Sequence, residues 1–260
     1  MSDKIETVPV IHFTEQEPST RQESVASEYL LTVVFNNREL VTLLCSPSSL
    51  KELAMGFLFS EGLIQDSNEI RKLILDEQRG IVRIETMGGQ DPPEDILFKR
   101  LITSGCGKGI SFHNAGDAQS LREIKTDVRI IPEQVYSIMR EFLRHSEVYQ
   151  KTAGVHSSAL CNANGIILFN DDIGRHNAID KIFGECLINN ISTDNLILAT
   201  TGRISSEILF KVIKKGIPIV ISKSAPTTSG IKLAIDSGIT LIGFVRGKRM
   251  NVYANSWRVV

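Results

Sequence analysis

The chain has 260 residues, 42% of them hydrophobic, and a formal net charge of −1. That length suits one large domain or a core with a smaller companion, and the near-zero charge excludes a global field that would recruit nucleic acid or an anionic membrane. No apolar run reaches the ~20 residues that span a bilayer, and the start Met1-Ser2-Asp3-Lys4-Ile5-Glu6 has no apolar stretch of the kind a signal peptide carries.

In chain order, residues 1–27 are polar and read as a loosely held arm. A hairpin is expected over 28–45, from Tyr29-Leu30-Leu31-Thr32-Val33-Val34-Phe35 through Asn36-Asn37 to Leu40-Val41-Thr42-Leu43-Leu44. Pro47-Ser48-Ser49 then opens a helix with Leu50, Leu53, Ala54, Phe57 and Leu58 on one face. More helix and strand follow over 68–86, and Gly88-Gly89-Gln90-Asp91-Pro92-Pro93 is a loop. Pro132 starts a helix that buries Val135, Ile138, Met139, Phe142 and Leu143. A second hairpin over 153–169 turns at Asn162-Ala163-Asn164-Gly165. The next helix carries Ala178, Ile179, Ile182, Phe183, Cys186 and Leu187.

The last third alternates apolar strands (196–199, 217–221, 240–245) with helices, the pattern of a buried parallel sheet. The expected division is a flexible arm over 1–27, an α+β region over 28–125, and an α/β core over 126–260.

Four cysteines, Cys45, Cys106, Cys161 and Cys186, lie far apart with no C-x-x-C pair, which fits a reducing, cytoplasmic setting. Cys106 stands out in Thr103-Ser104-Gly105-Cys106-Gly107-Lys108-Gly109. Three glycines remove side-chain bulk around its sulfur, and Lys108 places a cation where it favours thiolate over thiol. An accessible, reactive thiol needs both. A glycine-rich turn that happens to hold a cysteine has the same local sequence.

Polar residues collect after the three late strands. The exits read Thr200-Thr201-Gly202-Arg203-Ile204-Ser205-Ser206, Ser222-Lys223-Ser224-Ala225-Pro226-Thr227-Thr228, and Arg246-Gly247-Lys248-Arg249-Met250-Asn251. All three are small, hydroxylic and cationic, and two precede helix starts. Ligands of open sheets bind beyond the carboxyl ends of the strands, and helix N-termini favour anions. One sheet edge is therefore expected to hold a phosphate-bearing ligand. Helix capping and solvated cations explain any single exit, but not three together. His156 and the run Asp172-Ile173-Gly174-Arg175-His176-Asn177 add titratable groups nearby.

Other chemistries fail on spacing. Ile102 stands where a P-loop needs its first glycine, and Gly109 where it needs Ser or Thr. A zinc deaminase needs H-x-E and P-C-x-x-C, whereas this chain has His156-Ser157-Ser158 and no such cysteine pair. No protein-held metal is expected. Trp257 is the one tryptophan, so no aromatic stripe serves nucleic-acid stacking.

Four segments together resemble the formate dehydrogenase accessory protein family (FdhD): Ala153-Gly154-Val155-His156-Ser157-Ser158-Ala159; Asp172 through Lys181; Thr201-Gly202-Arg203; and Gly243-Phe244-Val245-Arg246 through Asn251-Val252-Tyr253. The resemblance runs from about residue 25 to the end. It implies a three-layer α/β/α core similar to that of cytidine deaminases, without their zinc, joined to a smaller N-terminal α+β region. It implies a sulfur carrier that takes persulfide sulfur from a cysteine desulfurase and passes it to the bis(guanine dinucleotide) molybdenum cofactor before insertion into formate dehydrogenase. A homodimer would fit the family.

The family's nucleophile maps onto Cys106, and its cofactor-contacting segment onto Phe244, Val245, Arg246, Gly247, Lys248 and Arg249. Combined with the exit residues, His156, Asp172, Arg175, His176, Arg203, Ser205 and Lys223 complete the expected cofactor site. Many relatives carry a second cysteine where this chain has Gly109, so a disulfide between the two cannot form here. A delivery protein that binds the cofactor without moving sulfur shares the anion site, and a nucleotide hydrolase on the same fold is opposed by the missing zinc ligands.

Overall fold

A computed structural model describes residues 3–15, 17–89, 102–103 and 123–260. The hairpin read from the sequence forms as β3 (Tyr29–Phe35) and β4 (Arg38–Cys45), turning through Asn36 and Asn37, which both have positive φ. With β5 (Ile70–Asp76), β6 (Ile81–Thr86) and β7 (Ile102–Thr103) they make a five-stranded sheet of order β5-β6-β3-β4-β7. Helix α1 (Leu50–Ser60) covers one face, burying Leu53, Ala54, Met55 and Leu58 against Leu31, Val33, Leu43 and Val82.

The arm expected over 1–27 is instead partly regular. β1 (Ile5–His12) and β2 (Ser19–Ala26) pair antiparallel over their full length as a separate two-stranded ribbon. β2 reads Ser-Thr-Arg-Gln-Glu-Ser-Val-Ala, too polar to announce a strand, and Pro9 sits in β1 where an edge strand tolerates a missing N–H. Backbone pairing, not burial, holds this ribbon.

The second half is a six-stranded sheet of order β13-β12-β11-β10-β8-β9. Its strands are β8 (His156–Asn162), β9 (Gly165–Asp172), β10 (Ile197–Thr200), β11 (Ile219–Ser222), β12 (Thr240–Arg246) and β13 (Arg249–Ala254). β10, β11 and β12 are parallel as expected, but β8 runs antiparallel to β10 and β13 antiparallel to β12. The sheet is therefore mixed. The reason is local: β8–β9 and β12–β13 are hairpins, and a short turn returns the chain antiparallel.

The strand alternation sorts the core into two layers. Leu198, Val220 and Leu241 face α4 (Arg175–Ile188), α5 (Ser206–Lys215) and α6 (Thr228–Asp236). Ile197, Ala199, Ile219 and Ile221 face α2 (Pro132–His145) through Ile138, Met139 and Phe142. This is a three-layer α/β/α core. A short helix, α3 (Glu147–Thr152), links α2 to β8. Ile124, grouped with the first region by sequence, packs on the core and donates its N–H to the Ser237 carbonyl at 2.9 Å. Among the described residues no helix is long and apolar enough to cross a membrane.

The two halves meet where α1 crosses α4 at backbone contact. A methyl added at Gly56 would fall 1.8 Å from the Asp180 carbonyl oxygen, and one at Gly184 would fall 1.8 Å from that of Glu52. Neither helix can yield without moving a whole sheet. Gly184→Ala should therefore destabilise the protein by about 3 kcal/mol, at the upper end for overpacking. Gly88→Ala, with nothing within 4 Å of the added carbon, should be near neutral. Urea midpoints of the two variants check this; equal midpoints would contradict the crossing.

Candidate functional site

The three strand exits converge. Thr201 follows β10, Lys223 and Ser224 follow β11, and Arg246 ends β12; together with Tyr149, Gly154, His156 and Ile173 they line a cleft of about 360 Å³. The exits are tied to one another by hydrogen bonds. Lys223 N–H donates to Thr200 O at 3.2 Å, Ser224 Oγ to Thr201 O at 2.8 Å, and Phe244 N–H to Ser224 O at 3.2 Å. Small residues after each strand let the loops approach: a methyl at Gly202 would meet Arg175 Cβ at 2.9 Å.

Phe244 takes φ 52°, a costly conformation for a bulky residue, and sits where the β12–β13 register shifts between Gly243 and Arg246. This bulge leaves Phe244 and Arg246 exposed on either side of fully buried Val245, and brings the Arg246 guanidinium 5.5 Å from the Phe244 ring. Lys223 Nζ lies 5.6 Å from the Tyr149 ring. Tyr149 escaped the sequence reading because α3 is six residues long and polar, with no periodicity to mark it.

His156 is half-buried, its Nδ1 3.4 Å from Thr201 Oγ1. Burial holds its pKa below the ordinary histidine value; the nearby charge of Arg175 and, more weakly, Arg203 push the same way, while Asp172 opposes them. A neutral ring results, carrying one N–H donor and one acceptor nitrogen. His176 lies behind it. Burial, then Lys211, Arg175 and His156, push its pKa down to about 2. Its 3.5 Å approach to Glu207 is therefore no ion pair, because the imidazole is uncharged.

The remaining expected residues divide. Arg175 and Arg203 act on His156 through charge and do not line the cleft. Asp172 is wholly buried and saturated: it accepts from Ser46 N–H at 3.0 Å, Gly174 N–H at 2.8 Å, Asn177 Nδ2 at 2.9 Å and Lys181 Nζ at 2.7 Å. It has no lone pair to offer a ligand, which corrects its placement among the cofactor contacts. Val245 belongs to the core packed under α2. His176 is a buried neighbour of the cleft, not a wall of it. Ser205 precedes α5, and its buried Oγ has no hydrogen-bond partner among the described residues.

Gly247 and Lys248 line a different groove beside α2, and Arg249 is exposed at the start of β13. Cys106 lies outside the described residues. Cys45, Cys161 and Cys186 are buried free thiols, each pushed up by burial to between about 11 and about 12, so they stay protonated and unreactive. Among the described residues no group of three or more His, Cys, Asp or Glu could hold a metal ion.

The sequence model of the FdhD/NarQ family matches residues 26–260. The chain belongs to this family. It is 40% identical over 260 residues, all of this chain and 99% of the relative, to a protein named sulfur carrier protein FdhD from Bacillus subtilis. A Staphylococcus aureus protein of the same name is 34% identical over 252 residues, with 97% of this chain and 95% of the relative covered. The fold is similar to that of a crystal structure, from Desulfotalea psychrophila, described as a formate dehydrogenase accessory protein. That likeness has a TM-score of 0.82 at 26% identity and covers 99% of this chain and 100% of that one.

Two family-motif positions make structural predictions. Lys181→Ala leaves Asp172 buried without its cation and should cost about 3–5 kcal/mol of stability, read from a denaturant midpoint. His176 is uncharged in the folded protein down to about pH 2, whereas in the unfolded chain it gains a proton below about pH 6.5. Its contribution is complete above 6.5 and is lost progressively as pH falls below that. In His176→Asn, the drop in stability between pH 7 and pH 5 should shrink by on the order of 2 kcal/mol. An unchanged pH profile would mean the folded protein protonates His176 normally.

Proposed function

We propose that this chain is a sulfur carrier for the molybdenum cofactor of formate dehydrogenase, working in the cytoplasm. In this reading a cysteine desulfurase loads Cys106 with a persulfide, and the bis(guanine dinucleotide) form of the cofactor is the bound substrate that receives the sulfur. The observation that carries the reading is the cleft itself, where three strand exits bring hydroxyls and cations around a neutral histidine. Pyrophosphate needs cations and O–H donors, and Lys223, Arg246, Thr201 and Ser224 supply them. Guanine presents N–H donors on its pairing edge, and uncharged His156 offers an acceptor. A cleft of about 360 Å³ matches one nucleotide arm of the cofactor, not the whole of it.

The names of the relatives support the sulfur-carrying half of the reading, since both are called sulfur carriers. Cys106 is the one cysteine outside the three buried thiols. In this reading Phe244, Arg203 and Arg249 flank the cofactor, formate dehydrogenase is the client, and the protein acts as a homodimer. Burial and the charge of Arg175 keep His156 neutral, and neither Arg175 nor His176 touches the substrate.

Peptide mass spectrometry after incubation with a cysteine desulfurase and cysteine tests the reading. A reducible gain of one sulfur atom is expected on the Cys106 peptide and on no other cysteine. Cys106→Ala should abolish the gain and leave guanosine diphosphate binding unchanged. Lys223→Ala and Arg246→Ala should each weaken that binding by roughly tenfold. No gain, with the nucleotide still bound, would make the chain a cofactor-delivery protein instead.

A further inference from the structure

A second concavity, of about 430 Å³, lies between α2 and the turn joining β12 to β13, and it shares no lining residue with the cleft. Its apolar lining is half-buried Tyr136 and Leu143, with the core residues Met139 and Val245 at its base. The three α2 residues repeat at i, i+3 and i+7, so they form one strip along the helix. From Glu133 to Arg144 the lining spans about three turns, or ~16 Å.

The rim is unequal in charge. Arg140, Arg144 and Lys248 face one carboxylate, Glu133. All three cations are exposed, and among the described residues none of them makes an ion pair. The lining has no Ser or Thr, in contrast to the cleft, where Thr201 and Ser224 accompany the cations. A phosphate ligand would want hydroxyls close to the charge. A long apolar strip edged by free cations instead suits an amphipathic helix whose flanks are acidic.

We propose that this groove docks an acidic amphipathic helical segment of a protein partner. The apolar strip would receive the partner's i, i+3, i+4 and i+7 side chains. Arg140, Arg144 and Lys248 would meet carboxylates along its edge and steer its approach. The β12–β13 turn gives the location meaning. Arg246 enters the cleft on one side of this turn, and Gly247 and Lys248 wall the groove on the other. A partner seated there stands beside the cleft, so the groove is suited to the protein that gives sulfur to the site or takes the loaded cofactor from it. That last step rests on the reading above; the docking does not.

The test uses the full chain and fluorescence anisotropy with a labelled helical peptide of about eleven residues, matched to the groove. The peptide has leucines on one face and glutamates on both flanks, and a control peptide has lysines in place of the glutamates. Binding of the acidic peptide alone is expected, weakened at least ~10-fold by R140E/R144E and by raised salt, weakened similarly by Leu143→Asp, and unaffected by Arg246→Ala. Both arginines are exposed, so the double variant should fold normally.

Equal binding of the two peptides, no binding, or full retention in R140E/R144E overturns the proposal. So does a loss of guanosine diphosphate affinity in R140E/R144E, which would make the groove a nucleotide site. Dissociation of a dimer by the same variant in sedimentation velocity would make it a contact between copies of this chain. None of these outcomes depends on whether Cys106 loads sulfur.

Discussion

Asp172 and Lys181 form an ion pair with no solvent access on either side chain, and the arrangement of the site depends on it. Charges out of water are tolerated only when every remaining donor and acceptor is matched. Here the carboxylate takes four donors, and the ammonium also reaches Asp171 O at 3.0 Å and Ser46 O at 3.4 Å. Ser46 belongs to the loop after β4, in the other half of the molecule. Its N–H bonds Asp172, and its Oγ accepts the Ile173 N–H at 3.1 Å. The pair therefore locks the end of β9, the start of α4 and the first sheet into one junction. It is better understood as a device that sets position than as a source of net stability.

That junction reaches the cleft through strand register. His156 lies opposite Asp172 in the β8–β9 ladder, so the histidine that lines the cleft and the carboxylate sealed in the core are partners across one pair of strands. A second buried pair repeats the logic at the adjacent residue of α4. Asp180 holds Lys211 at 2.6 Å and accepts from Ser60 Oγ at 2.6 Å, tying α1, α4 and α5 together. Lys211 in turn helps keep His176 uncharged. Burial is the larger cause of that neutrality, and the structural Lys211 adds to it.

The sequence made much of this readable. The α2 start at Pro132, the turn between Asn162 and Gly165, and the apolar strands of the last third all formed within a few residues of expectation, because local periodicity and turn chemistry decide them. The gathering of the three exits was also legible, since parallel strands end on the same edge of a sheet. The ribbon β1–β2 was not, because its polar residues carry no burial signal. The family run Asp172 through Lys181 misled at one position. Asp172 reads as a ligand contact, yet it is fully buried beside Asn177, Asp180 and Lys181.

By itself, then, the sequence determined the element order, the class of fold, the hydroxylic and cationic character of one sheet edge, and the family. The first three follow from patterning along the chain, and the family from the four segments that resemble it. Only the tertiary structure decided which charges face a ligand and which face each other. His156 and Asp172 are both polar and sit opposite each other in one ladder, but Asp172 is saturated by Gly174, Asn177 and Lys181 nearby and by Ser46, which donates to it across 126 positions. Likewise Arg246 and Lys248 are near neighbours in one turn, and its bulge and reversal send them to different concavities. Burial and pairing are properties of the assembled core, and no local pattern encodes which of two adjacent charges will find its counter-ion there.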